Sequence, residues 1–94
     1  MNTSLKHNSM SKQIKLSARL NKIPPPRDFT WNELINLTRQ AGFTETCRGG
    51  SHYMFEHFSG FRFAMSRTHP SGILKIYQIK EAIHALNTVK FKWE

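Results

Sequence analysis

The chain is short and strongly basic. Of its 94 residues 38% are apolar and 12% aromatic, enough for one small core but not for two domains. Fourteen Lys and Arg against six Asp and Glu give a net charge of +8, which attracts nucleic acid or an acidic protein surface. A single cysteine excludes a disulfide framework, and no apolar run is long enough to span a membrane.

Motifs for binding metals and nucleotides are missing from the sequence. The five histidines and Cys47 lack the close pairings that zinc sites need. No clustered carboxylates, His-Glu-x-x-His helix or P-loop occurs either. We therefore expect neither a metal nor a small-molecule cofactor. The lone cysteine and the lack of a recognisable signal peptide lead us to expect a reducing cytoplasm.

The chain divides into three predicted segments. Residues 1–10 are polar and aperiodic, which predicts a disordered tail. Residues 11–29 are predicted to hold a short basic helix and then a stiff linker, because Pro24–Pro26 cannot continue a helix. The apolar positions of that helix are Ile14, Leu16, Ala18 and Leu20. Residues 30–90 form the predicted domain.

The domain opens with the clearest local signal in the sequence. Thr30 and Glu33 have the spacing of a capping box, in which each side chain accepts a hydrogen bond from the backbone of the other residue. Phe29 and Leu34 flank the box as a hydrophobic staple. Apolar residues then recur at helical spacing up to Gly42, which predicts the end of the helix.

Three strands are predicted next, at residues 43–48, 51–57 and 61–67. A three-residue loop ending in Gly60 would place opposite each other the pairs Phe55–Phe63, Tyr53–Met65 and Glu56–Arg62. The first two pairs make one apolar face, and the third predicts an ion pair on the other face. A two-residue loop would scatter the apolar side chains, so we favour the three-residue loop.

A second amphipathic helix is predicted from Lys75 to Asn87. Its apolar positions are Ile76, Ile79, Ile83 and Leu86. The predicted fold is therefore α+β in the order α-β-β-β-α, preceded by an extra helix. Both core helices cover the apolar face of a three-stranded antiparallel sheet. The opposite face, with His52, Met54, Glu56 and Arg62, is left towards solvent or a ligand.

The turn between the first two strands is the candidate site. Gly49-Gly50-Ser51 allows a tight bend and the close approach of a partner, and His52 follows on the polar face. Imidazole exchanges protons near neutral pH, and RNA carries its own nucleophile in the 2′-hydroxyl group. Cleavage would thus need no metal and no covalent intermediate. Arg48, Arg67 and Lys75 are predicted to lie close enough to contact phosphate.

The same features also fit a simpler interpretation. Gly50 and Ser51 then belong to an ordinary turn, and His52 is a surface histidine without a chemical role. From spacing alone this simpler interpretation is the more frequent one. His57 and His84 are predicted to be surface or packing residues.

Several segments together resemble HicA-family toxins. The helix of residues 34–43 ends in Gly-Phe, and residues 48–52 (Arg-Gly-Gly-Ser-His) follow it after a strand. Residues 69–79, Phe29-Thr30-Trp31 and the leading Lys-rich helix resemble a longer branch of that family. The resemblance covers residues 11–87 in order.

The resemblance implies a fold and an activity. The fold would be a double-stranded-RNA-binding-like domain. The activity would be that of a ribosome-independent endoribonuclease that cleaves mRNA and is silenced by a HicB-type antitoxin. The catalytic histidine of the family motif corresponds to His52. Two alternatives remain: a non-catalytic RNA-binding module of the same fold, and a protein whose basic face only docks an acidic antitoxin.

Overall fold

A computed structural model of the chain describes residues 15–93. Its elements are α1 (residues 15–20), α2 (Trp31–Gln40), β1 (Phe43–Gly49), β2 (His52–His57), β3 (Arg62–Ser66) and α3 (Ile76–Thr88). The strands form one antiparallel sheet in the order β1-β2-β3. The predicted α+β class and element order are confirmed. The predicted tail at residues 1–10 and the start of the predicted first helix lie outside the described residues.

Helix α1 packs on the core rather than standing apart from it. Leu20 is completely buried in the main hydrophobic cluster. Ser17, three residues earlier, is buried on the same face of the helix, whereas Ala18 is exposed, contrary to the predicted apolar pattern. Arg19 fastens α1 to α2, because its Nη1 donates a hydrogen bond of 2.7 Å to Glu33 Oε2. No helix within residues 15–93 is both long and apolar enough to cross a bilayer.

The start of α2 is formed as predicted. The backbone N–H of Glu33 donates to Thr30 Oγ1 (3.1 Å), and the backbone N–H of Thr30 donates to Glu33 Oε1 (3.0 Å). Phe29 and Leu34 are both completely buried, as a hydrophobic staple requires. Gly42 follows the end of the helix with φ of +101°, a conformation that suits glycine.

The strand register is also as predicted: Phe55 lies opposite Phe63, Tyr53 opposite Met65 and Glu56 opposite Arg62. The rings of Phe55 and Phe63 stack with their centroids 4.7 Å apart. The expected ion pair between Glu56 and Arg62 is not formed: none of the ion pairs within residues 15–93 joins them. Both side chains are exposed, where such a pair gains little over solvation.

Helices cover one face of the sheet. Trp31 of α2 packs against Tyr53 and Phe55 of β2, with ring centroids 5.2 and 5.7 Å apart. The buried positions of α3 are Gln78, Ile79, Ala82, Ala85 and Leu86. Ile76 is predicted on that face but is 43% exposed. The helix is rotated relative to the prediction: Gln78, which bonds the end of β3, is buried together with Ala82 and Ala85.

The opposite face of the sheet, here called the open face, is polar. Its side chains are Thr44, Thr46, Arg48, His52, Met54, Glu56, Arg62, Ala64 and Ser66. All are exposed except Met54, which is half-buried. No helix within residues 15–93 covers this face, so its side chains are available to a ligand.

Candidate active site

The glycine turn leads directly into His52. Gly49 and Gly50 have φ of +120° and +56°, a region of backbone conformation that residues with a Cβ atom disfavour. The register shifts between Cys47 and Gly49, leaving Arg48 as the extra residue of a β-bulge. Gly49 is then opposite His52. His52, the first residue of β2, lies on the open face because side chains alternate along the strand, and the bulge places Gly49 beside it.

His52 has a hydrogen-bonding partner across the strands. Ser66 lies opposite it in β3, and its Oγ is 3.2 Å from His52 Nδ1. With a proton on Nδ1 the hydroxyl oxygen accepts, and Nε2 presents a lone pair. With the proton on Nε2 the hydroxyl donates, and Nε2 becomes the donor. In either form the contact orients the ring and leaves Nε2 without a partner among the described residues, suited to give or take a proton.

Gln78 anchors this pair to α3. Its Nε2 donates to the carbonyl oxygen of Ser66 (2.8 Å), and its Oε1 accepts from the backbone N–H of Lys75 (2.9 Å). The side chain is only 1% exposed, and a buried amide must make such bonds to offset its lost hydration. The first turn of α3 is therefore fixed to the end of β3 beside His52.

The three predicted phosphate-binding residues are attached to the same end of the sheet. Arg48 is in the bulge, and the backbone N–H of Arg67 donates to the carbonyl oxygen of Ser51 (2.8 Å). Lys75 is tied in through Gln78. None of the three side chains is in an ion pair or bonded to His52 within residues 15–93. Their charges are left for a ligand.

The carbonyl groups of Gly50 and Ser51 each have one neighbouring donor. Cys47 Sγ lies 3.6 Å from the carbonyl oxygen of Gly50, and that of Ser51 accepts from Arg67. Both residues are adjacent to His52 in the chain. They shape the turn that precedes β2, and their role in substrate binding stays a prediction.

Other histidines differ from His52. His57 is buried, and its ring nitrogens lie 3.0 Å from the carbonyl oxygen of Ala41 and 2.9 Å from Ser59 Oγ, so it serves packing. His84 is exposed on α3, away from the glycine turn in sequence. Within residues 15–93 no group of three or more His, Cys, Asp or Glu side chains is arranged to hold a metal ion.

Two residues of the site were not recognised from the sequence. Ser66 follows directly from the predicted register, because the Tyr53–Met65 pair places the preceding residue His52 opposite Ser66. Gln78 had a weaker signal: it is three residues after Lys75, the spacing at which a glutamine can bond the backbone at a helix start.

Comparison with known proteins gives no relative for this arrangement: no protein family, curated protein or solved structure matches the chain.

Proposed function

We propose that the protein is a metal-independent endoribonuclease that cleaves mRNA, with His52 transferring a proton. The observation that carries the proposal is the exposed imidazole of His52, oriented through Nδ1 by Ser66 and presenting Nε2 beside the glycine turn. A surface histidine without a role needs no such partner, and the buried histidine, His57, has both ring nitrogens occupied.

The reaction requires only the substrate and proton transfer. His52 Nε2 takes the proton from the 2′-hydroxyl, whose oxygen attacks the adjacent phosphorus. The bond from phosphorus to the 5′-oxygen of the next nucleotide breaks as the new bond forms. The products are a 2′,3′-cyclic phosphate and a 5′-hydroxyl, which gains a proton from the imidazolium or from water. Help of this kind contributes about 10²–10⁴-fold in rate.

Unpaired cations support an RNA substrate. Arg48, Arg67 and Lys75 surround the end of the sheet that bears His52 and form no ion pair within residues 15–93. Arginine and lysine bind phosphate through charge-assisted hydrogen bonds. They would hold the backbone on either side of the scissile phosphate and stabilise the charge that develops on it.

The proposal that the protein is a toxin of a known family rests on the resemblance of its sequence motifs. The order α2-β1-β2-β3-α3 is compatible with a double-stranded-RNA-binding-like arrangement, in which backbone and shape are recognised rather than bases. Together with the Gly-Ser-His motif at residues 50–52, it supports a HicA-type toxin silenced by a HicB-type antitoxin. The alternative is a non-catalytic RNA-binding module of the same fold, which the same cations would also favour.

Cleavage separates these two candidates. The purified full chain, His52→Ala and the matched control His84→Ala are incubated with labelled mRNA in excess EDTA, and the new ends are mapped. We expect the wild type and His84→Ala to produce 2′,3′-cyclic phosphate ends, and His52→Ala to be about 10²–10⁴-fold slower. Folding is compared by circular dichroism.

A Ser66→Ala variant tests the partner in the same assay. It should cleave more slowly at unchanged RNA affinity, because the ring loses its orienting bond. RNA binding with no cleavage by the wild type would favour the RNA-binding module. Equal cleavage by wild type and His52→Ala would exclude His52 as the catalytic residue.

A further inference from the structure

Strand β3 has one edge without a neighbouring strand in the part of the chain that the structure describes. Its other edge pairs with β2. Backbone hydrogen bonds join His57 to Phe61 and Arg67 to Ser51. Because inward and outward groups alternate along an antiparallel strand, the N–H and C=O groups of Arg62, Ala64 and Ser66 point outward. Gln78 takes the Ser66 carbonyl, which agrees with this pattern. The backbone groups of Arg62 and Ala64 have no partner within residues 15–93.

An apolar groove of about 380 Å³ runs beside this edge. Phe61 and Phe63 line its sheet side, and α3 lines the other. The helix contributes Tyr77, Lys80, Glu81 and His84, whose spacing places them along one stripe of the helix. Tyr77 is 60% exposed, although its ring is adjacent to apolar surface.

The edge and the groove fit one kind of ligand. A strand added to β3 would bond the outward groups of Arg62 and Ala64, at the usual spacing of about 4.8 Å. Alternate side chains of that strand would point to the same side as Phe63 and enter the groove. Hydrogen bonds to the edge and a pocket for alternate side chains are the two parts of recognition by strand addition.

Charge identifies the partner. The chain carries a net charge of +8. Lys80 and Glu81 line the groove, and Arg62 lies on the open face of β3, where the remaining alternate side chains of an added strand would meet it. A second copy would bring these like charges together, and two concave grooves would offer no side chain to fill each other. We propose that β3 and the groove beside it bind an extended acidic segment of a different protein, which places a large apolar side chain between Phe63 and Tyr77. This proposal does not depend on the nuclease activity.

A synthetic peptide tests the proposal. In the probe, Glu alternates with Val around one central Phe, and it is titrated into the ¹⁵N-labelled full chain. We expect the amide signals of Arg62 and Ala64 to shift most. A peptide with Lys for Glu should bind at least about tenfold more weakly, because like charges oppose it. A peptide that is N-methylated at the amides facing β3 should also bind at least about tenfold more weakly. The proposal would be overturned if amide signals shifted only deep in the groove or on the open face, with no shift at Arg62 and Ala64.

Matched variants sharpen the test. Tyr77→Glu should weaken binding of the acidic peptide about tenfold by like-charge repulsion, whereas Tyr77→Phe should bind like wild type. Tyr77 is exposed, and an acidic residue in the first turn of a helix does not oppose folding. Lys80→Glu should weaken binding, and Lys22→Glu, with the same charge change outside the groove, should not. Equal affinity of all these variants would overturn the proposal.

Other occupants give different results. If a second copy fills the groove, the free chain is a dimer in sedimentation and Tyr77→Glu makes it a monomer. If residues 1–14 fill it, Tyr77→Glu shifts their amide signals in the absence of peptide. Either result overturns the acidic partner. His52→Ala should bind the peptide like wild type, so failure of the nuclease proposal and failure of this one are distinguishable.

Discussion

Two groups of basic side chains in this protein are held differently. On the helical side, Arg19 bonds Asp28 and Glu33, and Arg39 bonds Glu45. The hydrogen bond from Arg19 to Glu33 raises the pKa of Arg19, and Glu45 raises the pKa of Arg39 in the same way. At the His52 end of the sheet the basic side chains have no carboxylate partner within residues 15–93.

The difference separates cations that hold the fold from cations available to a ligand. Arg19 joins α1 to α2 and also lies over the ring of Phe29, 5.1 Å from its centroid. Its charge is already neutralised locally. Arg48, Arg67 and Lys75 belong to segments attached to the end of the sheet that bears the exposed imidazole of His52, and positive charge at that end attracts phosphate. Removing charge should therefore affect binding at one end of the molecule and stability at the other.

The largest expected effect is on RNA binding. Changing Arg48, Arg67 and Lys75 together to Gln should weaken binding strongly, because each charge-assisted hydrogen bond to phosphate contributes about 1.5–3 kcal/mol. The slope of log affinity against log salt should fall by about 0.7 for each single-strand phosphate that the variant no longer neutralises. The free energy of unfolding should change by no more than about 0.5 kcal/mol per exposed site. Filter binding at several salt concentrations measures the affinity.

A triple variant with the same loss of charge provides the control. Lys22, Arg27 and Lys90 are exposed, and their change to Gln should leave most of the affinity. Equal weakening by the two triple variants would mean that RNA responds to net charge alone, and the comparison between the two ends of the molecule would fail.

The next effect is at the link between the sheet and α3. Gln78→Leu would leave the Ser66 carbonyl and the Lys75 N–H without their partner, costing about 1–3 kcal/mol in the free energy of unfolding. Cleavage should slow as well, since Ser66 orients His52. Urea unfolding gives the stability, with Gln40→Leu on the exposed end of α2 as the control, expected near zero. Unchanged stability of Gln78→Leu would show that the link is not a structural support.

What the sequence predicts here is what short-range patterns determine. The capping box of Thr30 and Glu33 needs only residues three apart, and the hairpin register needs only one loop length and one apolar face. The position of His52 on the open face, opposite Ser66, follows from that register. The catalytic role of His52 stays a prediction, because geometry does not establish turnover.

Long-range interactions account for what the sequence does not predict. The rotation of α3, which exposes Ile76, accompanies a bond from Gln78 to a strand twelve residues earlier, and a pattern of large apolar residues alone does not include a glutamine on the buried face. Likewise, the register sets Glu56 opposite Arg62, but exposed side chains choose their rotamers by solvation, so no ion pair results. The burial of Leu20 depends on the path that the proline segment takes between α1 and the core.

The smallest expected effect is on the helical side, with Arg19→Met. Methionine keeps an apolar side chain over Phe29 while removing the charge. The side chains of Arg19 and Glu33 are 36% and 31% exposed and that of Asp28 is 81% exposed, so solvent screening limits the loss to about 0–1 kcal/mol at neutral pH. Thermal and urea unfolding between neutral and acidic pH measure it, and RNA cleavage should not change.

The pH dependence distinguishes charge from packing. Burial raises the pKa of Glu33, but hydrogen bonds from Arg19 and from the Thr30 backbone outweigh it and lower the pKa below its ordinary value of 4.5. A carboxyl with a lowered folded pKa stabilises the fold above the unfolded value, and this contribution is lost as the pH falls through the folded pKa. The gap between wild type and Arg19→Met should therefore narrow below about pH 4.5 and close once the pH is below the folded pKa of Glu33. If it persists there, Arg19 stabilises α1 through its contact with the Phe29 ring, and the helical side is held by packing rather than by ion pairs.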